Sequence, residues 1–291
     1  MEPLSGNSAD KTSFHQMIAK VKAFEKQIDL ATPFEWIADS ALYTTSNLLN
    51  NNDYIWTTRV PESIKEARIL LETPCQELAN WQEAGPGYQI SSQISTYGGI
   101  KQRWLVVYSQ ASCQRETKTL EGKLAKQETS LKKALWHLAN KVFEDQKAGI
   151  EAIKKIIKSY SYFIISYQIV AIQAHVGRGK PKKDSTPQTK GYQVVGSYKA
   201  NQELINRYTR RKGRFILATN QLDTEKYPDI QLLSSYKEQS KVERGFRFLK
   251  DPLFMVDDVF LKLPRRIEAF MMVMCLTLLV YNVGQYKLRE K

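Results

Sequence analysis

Apolar side chains recur at helical spacing in Phe14, Ile18, Val21 and Phe24, which predicts a helix over residues 11–27 with Asp10 as its cap. Pro33 then opens a short apolar run, residues 34–38, that reads as a strand stopping at Asp39. A short helix at 45–49 and a second strand at 54–60, ended by Pro61, complete an α/β opening. Residues 88–95 and 101–109 form the two arms of a hairpin around Gly98-Gly99. Next comes a long helix with Leu120, Leu124, Leu131, Leu135, Leu138 and Val142 on one face. It is expected to fold back near Gly149 into a second helix, where Ile150, Ile153, Ile156 and Ile157 keep the same spacing.

A strand pair at 162–173 and 191–199 surrounds a loop rich in Gly, Lys and Pro, and a helix at 202–211 leads to an apolar strand at 214–219. Two helices close the chain, at 232–250 and 264–286. The second contains Ala269 to Tyr281 without a charge. A membrane span needs about 20 apolar residues, so this shorter run predicts a fully buried core helix and no membrane contact.

Charge changes this picture by locating it. The chain holds 43 Lys and Arg against 30 Asp and Glu, a formal charge of +13. Residues 101–214 alone carry 24 basic and 8 acidic side chains, whereas residues 1–70 carry 7 and 9. A field concentrated in the middle of the chain favours a polyanion, with a solvated lysine-rich helical surface as the plainer alternative. Three scattered cysteines, Cys75, Cys113 and Cys275, make neither a disulfide framework nor a zinc site, and favour a reducing cytoplasm. Glu2, Asp10 and Lys11 with no apolar run predict no signal peptide.

The segment 236–250 concentrates the candidate chemistry. At about 100° per residue, Tyr236, Gln239, Glu243, Arg247 and Lys250 share an arc of about 80°, while Val242 and Leu249 point away toward a core. One carboxylate flanked by a phenol, an amide and two cations suits a divalent metal beside a phosphodiester. An ordinary amphipathic helix with a Glu243–Arg247 pair four residues apart accounts for the same pattern.

The spacing Tyr236-x2-Gln239-x3-Glu243-x6-Lys250 resembles the Y-x2-R-x3-E-x6-K signature of DDE-type bacterial insertion-sequence transposases, enzymes with a ribonuclease-H-like core. Pro3-Leu4-Ser5-Gly6-Asn7, Ala38-Asp39-Ser40-Ala41-Leu42-Tyr43, Thr58-Arg59-Val60-Pro61 and Val242-Glu243-Arg244-Gly245-Phe246-Arg247 are similar to the same group. The resemblance implies an α/β fold, an incomplete ribonuclease-H-like core interrupted by a basic insertion of β-strands and a helical hairpin. Residues 1–71 and 214–291 would form the core, and 72–213 the insertion domain. It implies transposase activity, in which Mg2+ or Mn2+ supports cleavage at transposon ends and strand transfer to target DNA. Asp39 would be the second catalytic, metal-holding carboxylate and Glu243 the third. Read without the resemblance, Asp39 is a cap for the helix that follows it. Tyr236, Gln239, Arg247 and Lys250 would contact DNA, with Gln239 standing where the group usually has Arg.

Two metal ions require three carboxylates, and the group's first Asp lies upstream of the element that begins here at Pro3. Asp10 and Asp29 do not replace it, the first reading as a helix cap and the second as part of a linker. The expectation is therefore a truncated copy lacking the first strand, enzymatically active only if that strand is supplied; the alternative is a catalytically inactive DNA-binding remnant. The resemblance leaves room for a homodimer in a transposition complex and places the chain in a bacterial cytoplasm, on the nucleoid when bound to DNA. In the basic loop, Arg178, Lys180, Lys182 and Lys183 resemble minor-groove-binding Arg-Gly-Arg-Pro cores, though phosphate contact from a basic loop is the favoured reading.

Overall fold

The computed structural model describes residues 17–21, 23–24, 27, 35–78, 80–174, 188–249 and 263–289; for 174, 240–249 and 289 it describes the backbone. The described residues between 17 and 27 are helical. Then follow β1 (Glu35–Ala38), α1 (Thr45–Asn50), β2 (Ile55–Arg59), α2 (Lys65–Glu72), β3 (Gln82–Glu83), β4 (Tyr88–Tyr97) and β5 (Ile100–Ser109). The chain continues through α3 (Gln110–Ala139), α4 (Gln146–Ser159), β6 (Phe163–Ala174), β7 (Gln188–Ala200), α5 (Gln202–Arg210), β8 (Arg214–Thr219), α6 (Asp229–Leu249) and α7 (Pro264–Arg289). The fold is mixed α/β and divides into two compact units.

The first unit comprises residues 1–69, 78–107 and 215–291. Its sheet has the order β1-β2-β8-β5-β4-β3, with β1 and β2 parallel and β2 and β8 antiparallel. The hairpin that the sequence reading assigned to the insertion thus adds its strands to this sheet. The reason is visible in β5, where Gln102 to Val107 are all buried: a strand covered on both faces belongs in the middle of a sheet. Gly98 and Gly99, both at positive φ, make the tight turn that joins β4 to β5. One face of β5 packs Leu105 and Val107 with Ile90, Leu217 and the α6 residues Leu232 and Leu233. On the other, Trp104 Nε1 donates to the Tyr43 hydroxyl at 3.0 Å, which donates to Gln102 Oε1 at 2.7 Å. Arg103 is buried beside Asp229, the first residue of α6, at 3.4 Å, and donates to the Tyr227 carbonyl at 2.6 Å.

The expected burial of the last helix is not found. α7 is long and apolar enough, by length and composition, to cross a membrane, yet its apolar window has a mean hydropathy of 1.8 and none of it is buried. Met272, Leu276, Leu279 and Val280 are exposed. Uniform apolarity gives a helix no preferred side, so the sequence could not indicate which side, if any, is covered.

The second unit comprises residues 70–77 and 108–214. Here the leucine face of α3 packs Leu120, Leu131, Leu135 and Leu138 against Ile153 of α4 and against Phe163 and Val194 of the two-stranded β6–β7 ribbon. Ser109, Asp145 and Asn201 cap α3, α4 and α5, each accepting a backbone N–H three residues on. The fold-back lies at 140–145, earlier than expected, and Val142 falls in it as an exposed residue. Gly149 sits inside α4, where a Cβ would lie 2.9 Å from Val194 Cγ2; it marks close helix–ribbon packing rather than a turn. Arg214 anchors residues 70–77 by donating to the Leu71 and Thr73 carbonyls at 3.2 and 2.6 Å.

A candidate carboxylate site at the ends of two parallel strands

Parallel strands leave a crevice at their carboxyl ends, because each chain must depart there to cross over. In the first unit β1 and β2 are such a pair, in the register Ala38↔Thr58. At their ends a cleft of about 630 Å³ is lined by Asp39, Ser40, Tyr43, Thr45, Ser63 and Tyr97, among others. Asp39 is exposed in it. Its carbonyl accepts the Thr58 hydroxyl at 2.5 Å, which ties the end of β1 to β2. Its Oδ1 accepts the Ala41 N–H at 2.9 Å, an Asx turn that holds the carboxylate at the strand end. The cap of α1 is Thr44, which accepts the Asn47 N–H at 3.3 Å. Asp39 therefore closes a turn and leaves the helix-capping role to another residue.

The pleat fixes which face of β1 and β2 meets α6. Side chains alternate along a strand, so Glu35 and Ile37 share one face. The Thr57 hydroxyl donates to Glu35 Oε1 at 3.2 Å, so Thr57 lies on that face, and Arg59 follows it two residues on. The Arg59 guanidinium sits 5.2 Å above the Phe215 ring, and Phe215 packs on Tyr236 of α6 at 6.1 Å. α6 itself packs against β1 and β2. The helix bearing Glu243 thus covers the face of Glu35, Thr57 and Arg59, whereas the cleft that Asp39 lines is floored by Tyr43, whose hydroxyl meets Gln102 and Trp104 on the opposite face.

The first turns of α6 show which of its sides meets the sheet. Leu232 and Leu233 are buried and Tyr236 half-buried against the sheet. At about 100° per residue they fall at about −40°, +60° and 0°, so the described side chains of α6 turn the Tyr236 side of the wheel to the sheet. The expectation that Val242 and Leu249 point toward a core falls on side chains outside those described. Tyr236 is consequently a packing residue in this structure, and Gln239 is half-buried. The side chains of Glu243 and Arg247 lie outside those described, as do Lys250, Arg178, Lys180, Lys182 and Lys183 altogether.

Sequence reasoning did not find the aromatic floor of the cleft. Tyr43 and Tyr97 stack with centroids 4.9 Å apart, and burial pushes the Tyr43 hydroxyl well above its ordinary range despite its hydrogen bond from Trp104. Only the position of Tyr43 four residues after Asp39 hinted at this. Glu35, the other carboxylate on the strand, is engaged by Thr57 and by the Tyr227 hydroxyl at 3.1 Å; burial, then the Glu35 charge, raise that phenol. Among the described residues no three His, Cys, Asp or Glu side chains converge as a metal site. Comparison with protein families, with curated proteins and with solved structures finds no match.

Proposed function

We propose that the chain is a portion of a DDE-type transposase with a ribonuclease-H-like core, in which Asp39 and Glu243 hold a divalent cation beside a DNA phosphodiester. The observation that carries this reading is an exposed carboxylate, Asp39, held by an Asx turn at the carboxyl end of β1 in the crevice of a parallel strand pair, in the sheet against which α6 packs. A rigid strand end is a suitable mount for such a carboxylate, since the sheet fixes where its oxygens point. Mg2+ or Mn2+ bound there would polarise the phosphate and activate an attacking hydroxyl. Asp39 and Glu243 would hold the ion, and Arg59 ends β2, the parallel neighbour of β1. A second ion needs another carboxylate. Among the described residues β1 has one strand neighbour, β2, so its outer edge is where a further strand bearing that group would pair.

The test is Mn2+ binding by the full chain, read from water-proton relaxation, with Asp39→Asn and Glu243→Gln as variants. Each substitution is expected to weaken Mn2+ binding at least tenfold while duplex DNA binding persists. Unchanged Mn2+ affinity in both variants overturns the metal assignment. DNA binding without Mn2+ binding or Mg2+-dependent nicking identifies the chain as an inactive remnant.

A further inference from the structure

The outer face of α3 carries a feature that the carboxylate site does not use. Opposite its buried leucines, at about 100° per residue, an arc of about 100° holds Arg115, Lys118, Lys126, Lys133, Trp136 and His137. All six are exposed, Trp136 by 64%. No acidic residue falls within the arc: Glu116, Glu121 and Glu128 lie outside it, and Glu128 pairs with Lys132 at 3.0 Å and with the Tyr198 hydroxyl at 2.9 Å. A solvated lysine-rich helix ordinarily intersperses the two signs, so this segregation is a distinct property of the face.

Gly122 is the second, independent observation. It lies inside the 30-residue helix, on the same arc between Lys118 and Lys126, and a Cβ there would meet nothing within 4 Å. Glycine in a helix interior costs about 1 kcal/mol relative to alanine. Here no packing within the fold requires it. A glycine in that position leaves the helix backbone open to close approach by something outside the molecule. The arc runs from Arg115 to His137, about 33 Å at 1.5 Å per residue, roughly one turn of a DNA duplex.

We propose that the outer face of α3 is a track for the phosphate backbone of duplex DNA, with Gly122 as the point of closest approach and Trp136 packing on a deoxyribose or base edge at one end. This deepens the preceding reading, on which it rests, by naming a surface remote in sequence from Asp39 and Glu243. The lysines neutralise phosphates and release counterions, which makes binding salt-dependent.

The experiment uses the full chain and a 30-base-pair duplex, with fluorescence anisotropy over a salt series. Lys118→Gln/Lys126→Gln/Lys133→Gln is expected to weaken binding at least tenfold and to reduce the log–log salt slope by about one for each lysine. Lys147→Gln/Lys154→Gln/Lys155→Gln, an equal charge change on exposed positions of α4, serves as the matched control and is expected to shift the slope by less than half as much. Gly122→Leu should weaken duplex binding while leaving the melting temperature unchanged or higher, a pair of results that lost folding cannot produce. Equal effects from the two triple variants, or undiminished binding by Gly122→Leu, overturn the α3 track and leave the transposase reading standing. Preference for anionic vesicles over duplex also overturns it. No salt-dependent duplex binding by the unmutated chain overturns both.

Discussion

The interiors of the two units are built from different materials. In the second unit α3, α4 and the ribbon meet through leucine, isoleucine, valine and aromatic side chains, and the buried Arg214 is held apart from them against residues 70–77. The first unit buries Arg103, Gln102, Thr57 and Thr58 among its apolar residues. An apolar interior is stabilised by area and tolerates small displacements; a buried polar group demands a partner at one distance and direction. The network of Tyr43, Gln102 and Trp104 and the pair of Arg103 with Asp229 therefore fix the sheet and the start of α6 more rigidly than hydrophobic area alone would. That rigidity lies under the proposed carboxylate site, while the apolar unit presents a charged outer surface whose position needs less precision.

The sharpest way to break this comparison is Asp229→Ala, which strands the buried Arg103 charge. It is expected to cost about 3–5 kcal/mol in urea unfolding. Burial already lowers the Arg103 pKa, with Asp229 opposing that effect, so the guanidinium depends on its partner. Leu131→Ala is the counterpart in the second unit, fully buried on α3, with an expected cost of about 3–4 kcal/mol. The two should differ in kind, since Asp229→Asn recovers little stability whereas Leu131→Met recovers most of it.

Next in size is Tyr43→Phe, which should cost about 1–2 kcal/mol by leaving Gln102 and Trp104 without the hydroxyl. It carries a pH signature. A phenol raised in the folded state contributes stability below its unfolded value of about 10, and this is lost as pH rises from there toward the folded value. The unmutated chain should lose stability above pH about 10 more steeply than Tyr43→Phe, measured by urea melts at pH 9 and 11. Tyr227, raised too, keeps a residual slope in the variant. The smallest effect belongs to α7: Leu279→Ala, at a position 58% exposed, should stay within about 0.5 kcal/mol. A cost as large as that of Leu131→Ala would show that α7 is covered in solution.

Elements that follow from local chemistry were legible in the sequence. The Gly98-Gly99 hairpin, the leucine stripe of α3 and the short strand ending at Asp39 all follow from turn chemistry or periodicity. What depends on distant partners was not. That β5 enters the first sheet, between β8 and β4, is decided by strands far away in sequence. The sheet-facing side of α6 is set by Leu232, Leu233 and Tyr236. A run such as 269–281, apolar on every side, states a preference for burial without naming a surface that supplies it. At the site, the position of Asp39 was readable, but the stacked Tyr43 and Tyr97 beneath it needed the hairpin to be brought over α1.

One pairing has a consequence for synthesis. Trp56 receives its hydrogen-bond partner from Asn220, 164 residues later, and β2 finds its antiparallel neighbour in β8. At about 5–20 residues per second, a ribosome leaves that strand edge without its mate for on the order of 10–30 s. The whole second unit is made within that interval, so a nascent chain is open to wrong strand partners until β8 and Asn220 have been made.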